Sequence, residues 1–322
     1  MSVQLSIILP VDNAPLSELM MPLASLNNQL GLMGNQVEIL LVDNGEFHLD
    51  LPAQLNLFVQ LTVRTITPDQ VCGRMAAFEA GVKAAKGEYI MLLDANNQLY
   101  HPFTLQNLFG LQAKHPDADI IGGATLLQGL TKDRQPVYRA GRSQTSLHGL
   151  MIRRALLMSE QVQFDDQYGE YSEEFTARLV RQAAGGVVEG EDIACVIFSS
   201  RTHAITGQKP QINEQWVLMM AGYLAQLRAT SERFDTEYAK FIVRFYSQVL
   251  QVPAASRMPL TTAVAQIVKT HADRWPAVQQ FVAGVKLTDK HAQAPWVAAP
   301  ASFANYLDQL TRIAGVAIRK RG

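Results

Sequence analysis

Three stretches of the chain are almost unbroken apolar runs that stop at acids or amides. Leu5-Ser6-Ile7-Ile8-Leu9-Pro10-Val11 ends in Asp12-Asn13, Val37-Glu38-Ile39-Leu40-Leu41-Val42 in Asp43-Asn44-Gly45, and Tyr89-Ile90-Met91-Leu92-Leu93 in Asp94-Ala95-Asn96-Asn97. Runs of this length without alternation, bounded by turn residues, mark strands buried on both faces, as in a parallel sheet. Between them the period changes. Leu16, Leu19, Met20, Leu23, Leu26 and Leu30 lie on one helical face, Met75, Phe78 and Val82 predict a second helix over 73–86, and a third is predicted from Thr104 to Lys114. Asp119-Ile120-Ile121-Gly122-Gly123 reads as a further short buried strand. Alternating strands and helices predict an α/β fold, a mostly parallel sheet with helices on both faces. Ligands of such sheets bind beyond the carboxyl ends of the strands, where Asp94 and Asn96 stand.

From Leu127 to Gln144 the chain turns polar and basic, with Lys132, Arg134, Arg139 and Arg142. That composition suits a mobile surface loop or, over an active-site face, a lid on the acceptor side. The segment from Phe164 to Phe175 leads into a helix ending near Gly185-Gly186, and Ile193 to Phe198 reads as the next strand. Beyond about residue 205 only helical spacing remains, carried by Trp216, Met219, Met220, Tyr223 and Leu224, then Tyr238, Phe241, Ile242 and Phe245, then Phe303, Tyr306, Leu307 and Leu310. The expected organisation is an α/β domain over 1–205 and a helical region over 206–322.

Composition acts mainly by exclusion. At 322 residues and 48% hydrophobic content the chain can bury a large core, and a formal charge of −1 gives no basis for a nucleic-acid partner. The first strand begins almost at the N-terminus and no apolar run approaches the roughly 20 residues of a membrane span, so a cytoplasmic location is expected. Cys72 and Cys195 fit no metal-ligand spacing and read as free thiols of a reducing compartment. Arg319-Lys320-Arg321 suits either an ordinary cationic helix end or peripheral contact with an anionic membrane surface. Self-association into an oligomer is left open.

Taken in order, Pro10-Val11-Asp12-Asn13, Asp43-Asn44-Gly45, Gly73-Arg74-Met75-Ala76-Ala77-Phe78-Glu79-Ala80-Gly81 and Gly87-Glu88-Tyr89-Ile90 followed by Asp94-Ala95-Asn96 resemble the family-2 glycosyltransferases of GT-A fold. The family's counterparts are a Pro-x-Tyr-Asn turn, Asp-Asp-Gly, Gly-Lys-x-x-Ala-Leu-Asn-x-Gly, and Gly-Glu-Tyr-Ile with Asp-x-Asp. The likeness extends over roughly residues 3 to 200, in the ordered spacing of several weak motifs. It implies transfer of a sugar from a UDP-sugar donor to an acceptor hydroxyl, with inversion, and a divalent Mn or Mg ion at the diphosphate. The acceptor, whether glycan, glycolipid or protein, is not specified.

Carried over by resemblance, Pro10, Asp12 and Asn13 form the first turn at the nucleotide, Asp43 reads the base, Arg74 meets a phosphate oxygen, and Asp94 lies near the ribose and the metal. Asp94, Asn96 and His203 are the metal candidates. The family's Glu-Asp pair at a helix start falls on Glu173 and Glu174 when counted back from Gly185, and on Tyr171 and Ser172 when counted back from Arg178. The glycine register also aligns the strand from Ile193 to Phe198, and it makes Glu174 the general base, with Glu173 second. Acids at such turns and helix starts also serve as plain caps. Three departures bear on activity. Asp12 stands where the family has an aromatic ring, Asn44 where it has an acid, and the Asp-x-Asp motif is degenerate. A neutral amide at 96 coordinates more weakly than a carboxylate, so the metal is expected to be weakly bound or absent. The rival reading is a catalytically degraded relative that binds an active transferase.

Overall fold

The computed structural model describes residues 3–12, 14, 16–32, 36–45, 58, 60–131, 133, 135–142, 144–198, 212–227, 232–249, 252–284 and 300–316. Asn13, Lys132, Arg134, His203 and the basic Arg319, Lys320 and Arg321 lie outside the described residues. The chain divides into two compact units, Met1–Gly207 and Gln208–Gly322.

The first unit runs β1 (Leu5–Pro10), α1 (Leu16–Asn27), β2 (Val37–Val42), β3 (Val63–Ile66), α2 (Arg74–Ala84), β4 (Tyr89–Leu92), β5 (Asn97–Leu99), α3 (Thr104–Lys114), β6 (Ile120–Leu130), β7 (Pro136–Gly141), β8 (Leu150–Arg153), α4 (Arg154–Leu157), a 3-10 turn (Asp166–Tyr171), α5 (Ser172–Ala183) and β9 (Val187–Phe198). Among the described residues these strands form one sheet in the order β3-β2-β1-β4-β8-β6-β9-β5, with β7 beside β6. Its first half, β3-β2-β1-β4, is parallel. The second half is mixed, with β8 antiparallel to β4 and β6, and β9 parallel to β6.

Alternate residues of β1 feed opposite layers, which is why the strand is apolar throughout. Leu5, Ile7 and Leu9 join Leu19, Leu23 and Leu26 of α1, whereas Ile8 joins Phe78 and Val82 of α2 and Val180 of α5. From β1 the chain passes to β2 and β3 on one side and returns to β4 on the other, leaving a crevice at the carboxyl ends where the direction reverses. The register of Pro10 with Val42 and of Ile8 with Leu92 brings Asp12, Asp43 and Asp94 to that one edge.

The other edge is held by a buried acid. Glu38 accepts from Ser6 Oγ at 2.6 Å, from the Lys86 backbone N–H at 2.7 Å, and from Nε and Nη2 of Arg64 at 3.0 and 2.9 Å. Gly87 N–H donates to Ser6 Oγ at 2.8 Å, and a Cβ on Gly87 would lie 2.5 Å from Ser6 N, so only glycine lets the chain pass this close. Burial raises the Glu38 carboxyl, but the donors from Ser6, Lys86 and Arg64 outweigh it and leave the pKa lowered.

The polar stretch 127–144 is not simply a loop. β6 extends to Leu130 and pairs with β7 from Thr125 opposite Gly141 to Leu130 opposite Pro136. β7 is largely exposed, so it has no buried face to impose the alternation by which a strand is recognised. The strand expected over 119–123 is the first part of this longer one, with register irregularities between Gly122 and Thr125.

The second unit is helical, with α6 (Glu214–Gln226), α7 (Glu232–Val249), α8 (Ala254–Thr270), α9 (Trp275–Gly284) and α10 (Pro300–Ala314). Trp216, Tyr238, Phe241, Phe245 and Trp275 are buried, and the Trp275 indole N–H donates to Thr311 Oγ at 2.9 Å. Among the described residues no helix is long and apolar enough to cross a membrane.

Candidate active site

Helix α2 begins immediately after Gly73 and carries Arg74 at its first position. Its N-terminus is capped from far along the chain, Asp166 Oδ1 accepting from Met75 N–H at 2.8 Å and Oδ2 from Ala76 N–H at 2.9 Å. A Cβ at Gly73 would collide with this carboxylate. The helix end that elsewhere receives a phosphate is therefore already occupied by an anion of the chain itself.

Arg74 reaches over the sheet edge and grips Asp94 in a fork, Nε to Oδ1 at 2.9 Å and Nη2 to Oδ2 at 2.7 Å, while Nη1 donates to Glu173 Oε2 at 3.0 Å. His148 Nε2 lies 3.4 Å from both Asp94 Oδ2 and Glu173 Oε2. Its other face meets Asn97, whose Nδ2 is 3.0 Å from Nδ1. Glu173 Oε1 accepts from Ser146 Oγ and from Leu147 N–H, each at 2.8 Å.

The electrostatics follow from this crowding. Burial opposes the charge of Arg74, but Asp94 and Glu173 more than compensate and raise its pKa. Burial likewise lowers His148, against which Glu173 and Asp94 win, with Arg74 opposing them, so the imidazole is raised. Burial raises Glu173, but His148, Arg74 and the Leu147 N–H hold it well below the usual carboxylate range. Burial, with Asp94 nearby, pushes the Cys195 thiol up to about 12, an inert group.

The structure thus brings together Arg74, Asp94 and Glu173 of the sequence candidates. Glu174 points elsewhere in the helix, to Arg178, whose Nε and Nη2 donate to Oε1 at 3.0 and 2.7 Å. Asn96 turns toward β9, Nδ2 donating to the Phe198 carbonyl at 3.2 Å. Pro10 closes β1 opposite Val42, and Asp43 is buried with its N–H on the Ile66 carbonyl at 2.8 Å. Asp12 has φ 46°, a left-handed conformation that Asp tolerates better than most side chains. Asn13 and His203 are not among the described residues.

Asn44 has a definite task. Its Oδ1 accepts from Asp12 N–H at 3.0 Å and its Nδ2 donates to the Cys72 carbonyl at 2.8 Å, so one amide ties the turn after β1 to the loop entering α2. A carboxylate has no donor for that carbonyl. The residues that sequence reasoning missed are His148, Ser146 and, as a cap, Asp166. His148 stands alone in Thr145-Ser146-Leu147-His148-Gly149, without any spacing that would mark it.

A divalent ion at Asp94 needs carboxylate oxygens turned toward it and further hard donors. Both Asp94 oxygens are held by Arg74, Asn96 faces Phe198, and among the described residues no group of three His, Cys, Asp or Glu is placed to hold a metal ion. As arranged, the described residues do not fit the ion. A separate cavity of about 290 Å³ between α3 and strands β6 and β9, lined among others by Tyr100, Asn107 and Asp192, shares no residue with the Arg74 cluster.

Comparison with known proteins bears on the fold and the family. No curated protein matches the chain in sequence. S. aureus TarS 1-349 in complex with UDP is similar in structure, with a TM-score of 0.64 at 15% identity over 97% of this chain and 90% of that one. The same TarS fragment in complex with UDP-GlcNAc gives 0.64 at 15% identity over 97% and 91%. Mannosyltransferase PcManGT from Pyrobaculum calidifontis, in complex with GDP-Man and Mn2+, gives 0.45 at 15% identity over 98% and 85%. At such identity the likeness is one of fold. Residues 6–184, more than half of the chain and the span from the second residue of β1 to just past the end of α5, match the profile of Glycosyl transferase family 2. The chain therefore belongs to glycosyl transferase family 2, with a GT-A fold.

Proposed function

We propose that this glycosyltransferase takes a UDP-sugar as donor and passes the sugar, with inversion, to an acceptor hydroxyl. The observation that carries the reading is the Arg74–Asp94–Glu173–His148 cluster at the switch point of the parallel half-sheet. The fold-level likeness to TarS, whose structures hold UDP and UDP-GlcNAc, supports the choice of nucleotide. Asp43 would accept from the uracil N–H, and Asp94, with lone pairs beyond those given to Arg74, from a ribose hydroxyl.

Of the two adjacent acids, Glu173 is the anchor. Its low pKa and its donors from Ser146, Leu147 and Arg74 make it a weak base, and they fix the start of α5. Glu174, bound by Arg178 on α5 and outside that cluster, is then the general base, a role that requires it to exchange Arg178 for the acceptor hydroxyl. As the acceptor oxygen bonds to the anomeric carbon, its proton passes to Glu174, the bond from that carbon to the diphosphate breaks, and the electron pair leaves with UDP. The test is UDP release across a panel of donor sugars, with UDP affinity read by calorimetry. Glu174→Gln is expected to lose about 10²–10⁴-fold in rate while binding UDP like the parent. Full activity in that variant would remove Glu174 from the role. UDP binding without release from any donor would favour the reading of a non-transferring relative, for which Asp12 still speaks and Asn44, occupied as a clasp, does not.

A further inference from the structure

We propose that Arg74 takes the place of the divalent cation, so that this chain binds the donor diphosphate without metal. The inference rests on the proposed UDP-sugar site and concerns how that site meets the phosphates.

The guanidinium occupies the ground a metal would need. It covers both oxygens of Asp94 at 2.9 and 2.7 Å and takes one oxygen of Glu173 at 3.0 Å. An arginine is charged at every working pH and needs no recruitment from solution. The two carboxylates fix its plane before any ligand arrives, so little reorganisation is required when the diphosphate comes in. Three of its five N–H groups are spent on those carboxylates. The other hydrogens on Nη1 and Nη2 have only long contacts, 3.9 Å to Met75 Sδ and 3.5 Å to His148 Nε2, which a phosphate oxygen would readily displace. The side chain remains 28% exposed, enough to be approached from the crevice.

Two further features agree. The amides at the start of α2 are spent on Asp166, so the helix end is not the phosphate receptor, and the cation at hand is the arginine on its first residue. The amide at 96 also becomes intelligible. With no ion to neutralise it, a second carboxylate would set one more negative charge beside a diphosphate, and Asn96 instead secures the chain to Phe198.

Calorimetry of UDP binding to the unmodified protein, in EDTA and again in millimolar Mn2+, tests this without any substitution. The affinity is expected to agree within about two-fold between the two. A ten-fold or greater tightening by Mn2+ would overturn the substitution of arginine for metal while leaving the UDP site standing. Absence of UDP binding in both media would overturn the donor reading and this inference together. Arg74→Met, checked for folding by circular dichroism, should lose at least ten-fold in EDTA and recover part of that loss in Mn2+, because Asp94 is then open to the ion. Arg74→Lys, which keeps the charge but has only three donors for two carboxylates and a phosphate, should bind UDP in EDTA more weakly than the parent and more tightly than Arg74→Met. Parental affinity of Arg74→Met in EDTA would count against the proposal.

Discussion

Replacing Asn44 by Asp removes the donor to the Cys72 carbonyl and sets a carboxylate oxygen against it. The site is 1% exposed, so water cannot make good the loss. A cost of about 1–3 kcal/mol is expected, read as a lower melting temperature together with weaker UDP affinity. A variant as stable as the parent would mean that the clasp does not hold the loop. Glu38 offers a second test at this scale. Folding lowers its pKa below the model-compound value of 4.5, so its stabilisation is fully present above that pH and drains away as pH falls through the lower folded value. Glu38→Gln should therefore be less stable at pH 7, by about 1.5–3 kcal/mol, and lose less than the parent as the pH is taken below 4.5. Parallel curves for the two proteins would show that Glu38 is not the group being titrated. The sequence displayed these residues but only some of their duties. Asp94, Arg74 and Glu173, the last as second choice to Glu174, come from the resemblance of their motifs to the family's, whereas the partners of Asn44 are a backbone amide at 12 and a carbonyl at 72, which no side-chain pattern encodes.

At the level of elements, α2 is the part on which the site turns, and its first turn depends on a carboxylate 90 or so residues downstream. Asp166→Ala should cost about 1–2 kcal/mol by leaving two amides without their cap, and it should weaken UDP binding because Arg74 starts that turn. Asp166→Asn, which keeps an acceptor, should recover part of both. If Asp166→Ala destabilises the fold and leaves UDP affinity intact, the cap serves stability alone. Helices α1, α2 and α3 were legible because each buries an apolar face against the sheet. β3, β5 and β8 escaped notice as segments of three or four residues, too short for a period to show. β7 escaped because its exposed pairing with β6 leaves no apolar mark.

Across the whole molecule, a ligand that binds only the folded chain must stabilise it, by about 2.7 kcal/mol at a hundred-fold excess over Kd, and so raise its melting temperature. UDP is expected to shift the melt by several degrees in the parent and by much less in Asp43→Ala, in which the acid proposed to read the base is gone. An equal shift in both proteins would place the nucleotide elsewhere. In the sequence the period changes from mixed to purely helical near residue 205, and the chain divides into two compact units between Gly207 and Gln208. The wide sequence separation within the site has a consequence for synthesis. Arg74 meets Glu173 across 99 residues, and its helix meets Asp166 across about 90. A nascent chain halted before residue 166 already holds every strand of β3-β2-β1-β4, yet its arginine has neither the cap beneath it nor the second carboxylate beside it. On the proposed donor site, competence for donor would arrive late on the ribosome, after the parallel half-sheet β3-β2-β1-β4 that carries Arg74's helix and Asp94 has been made.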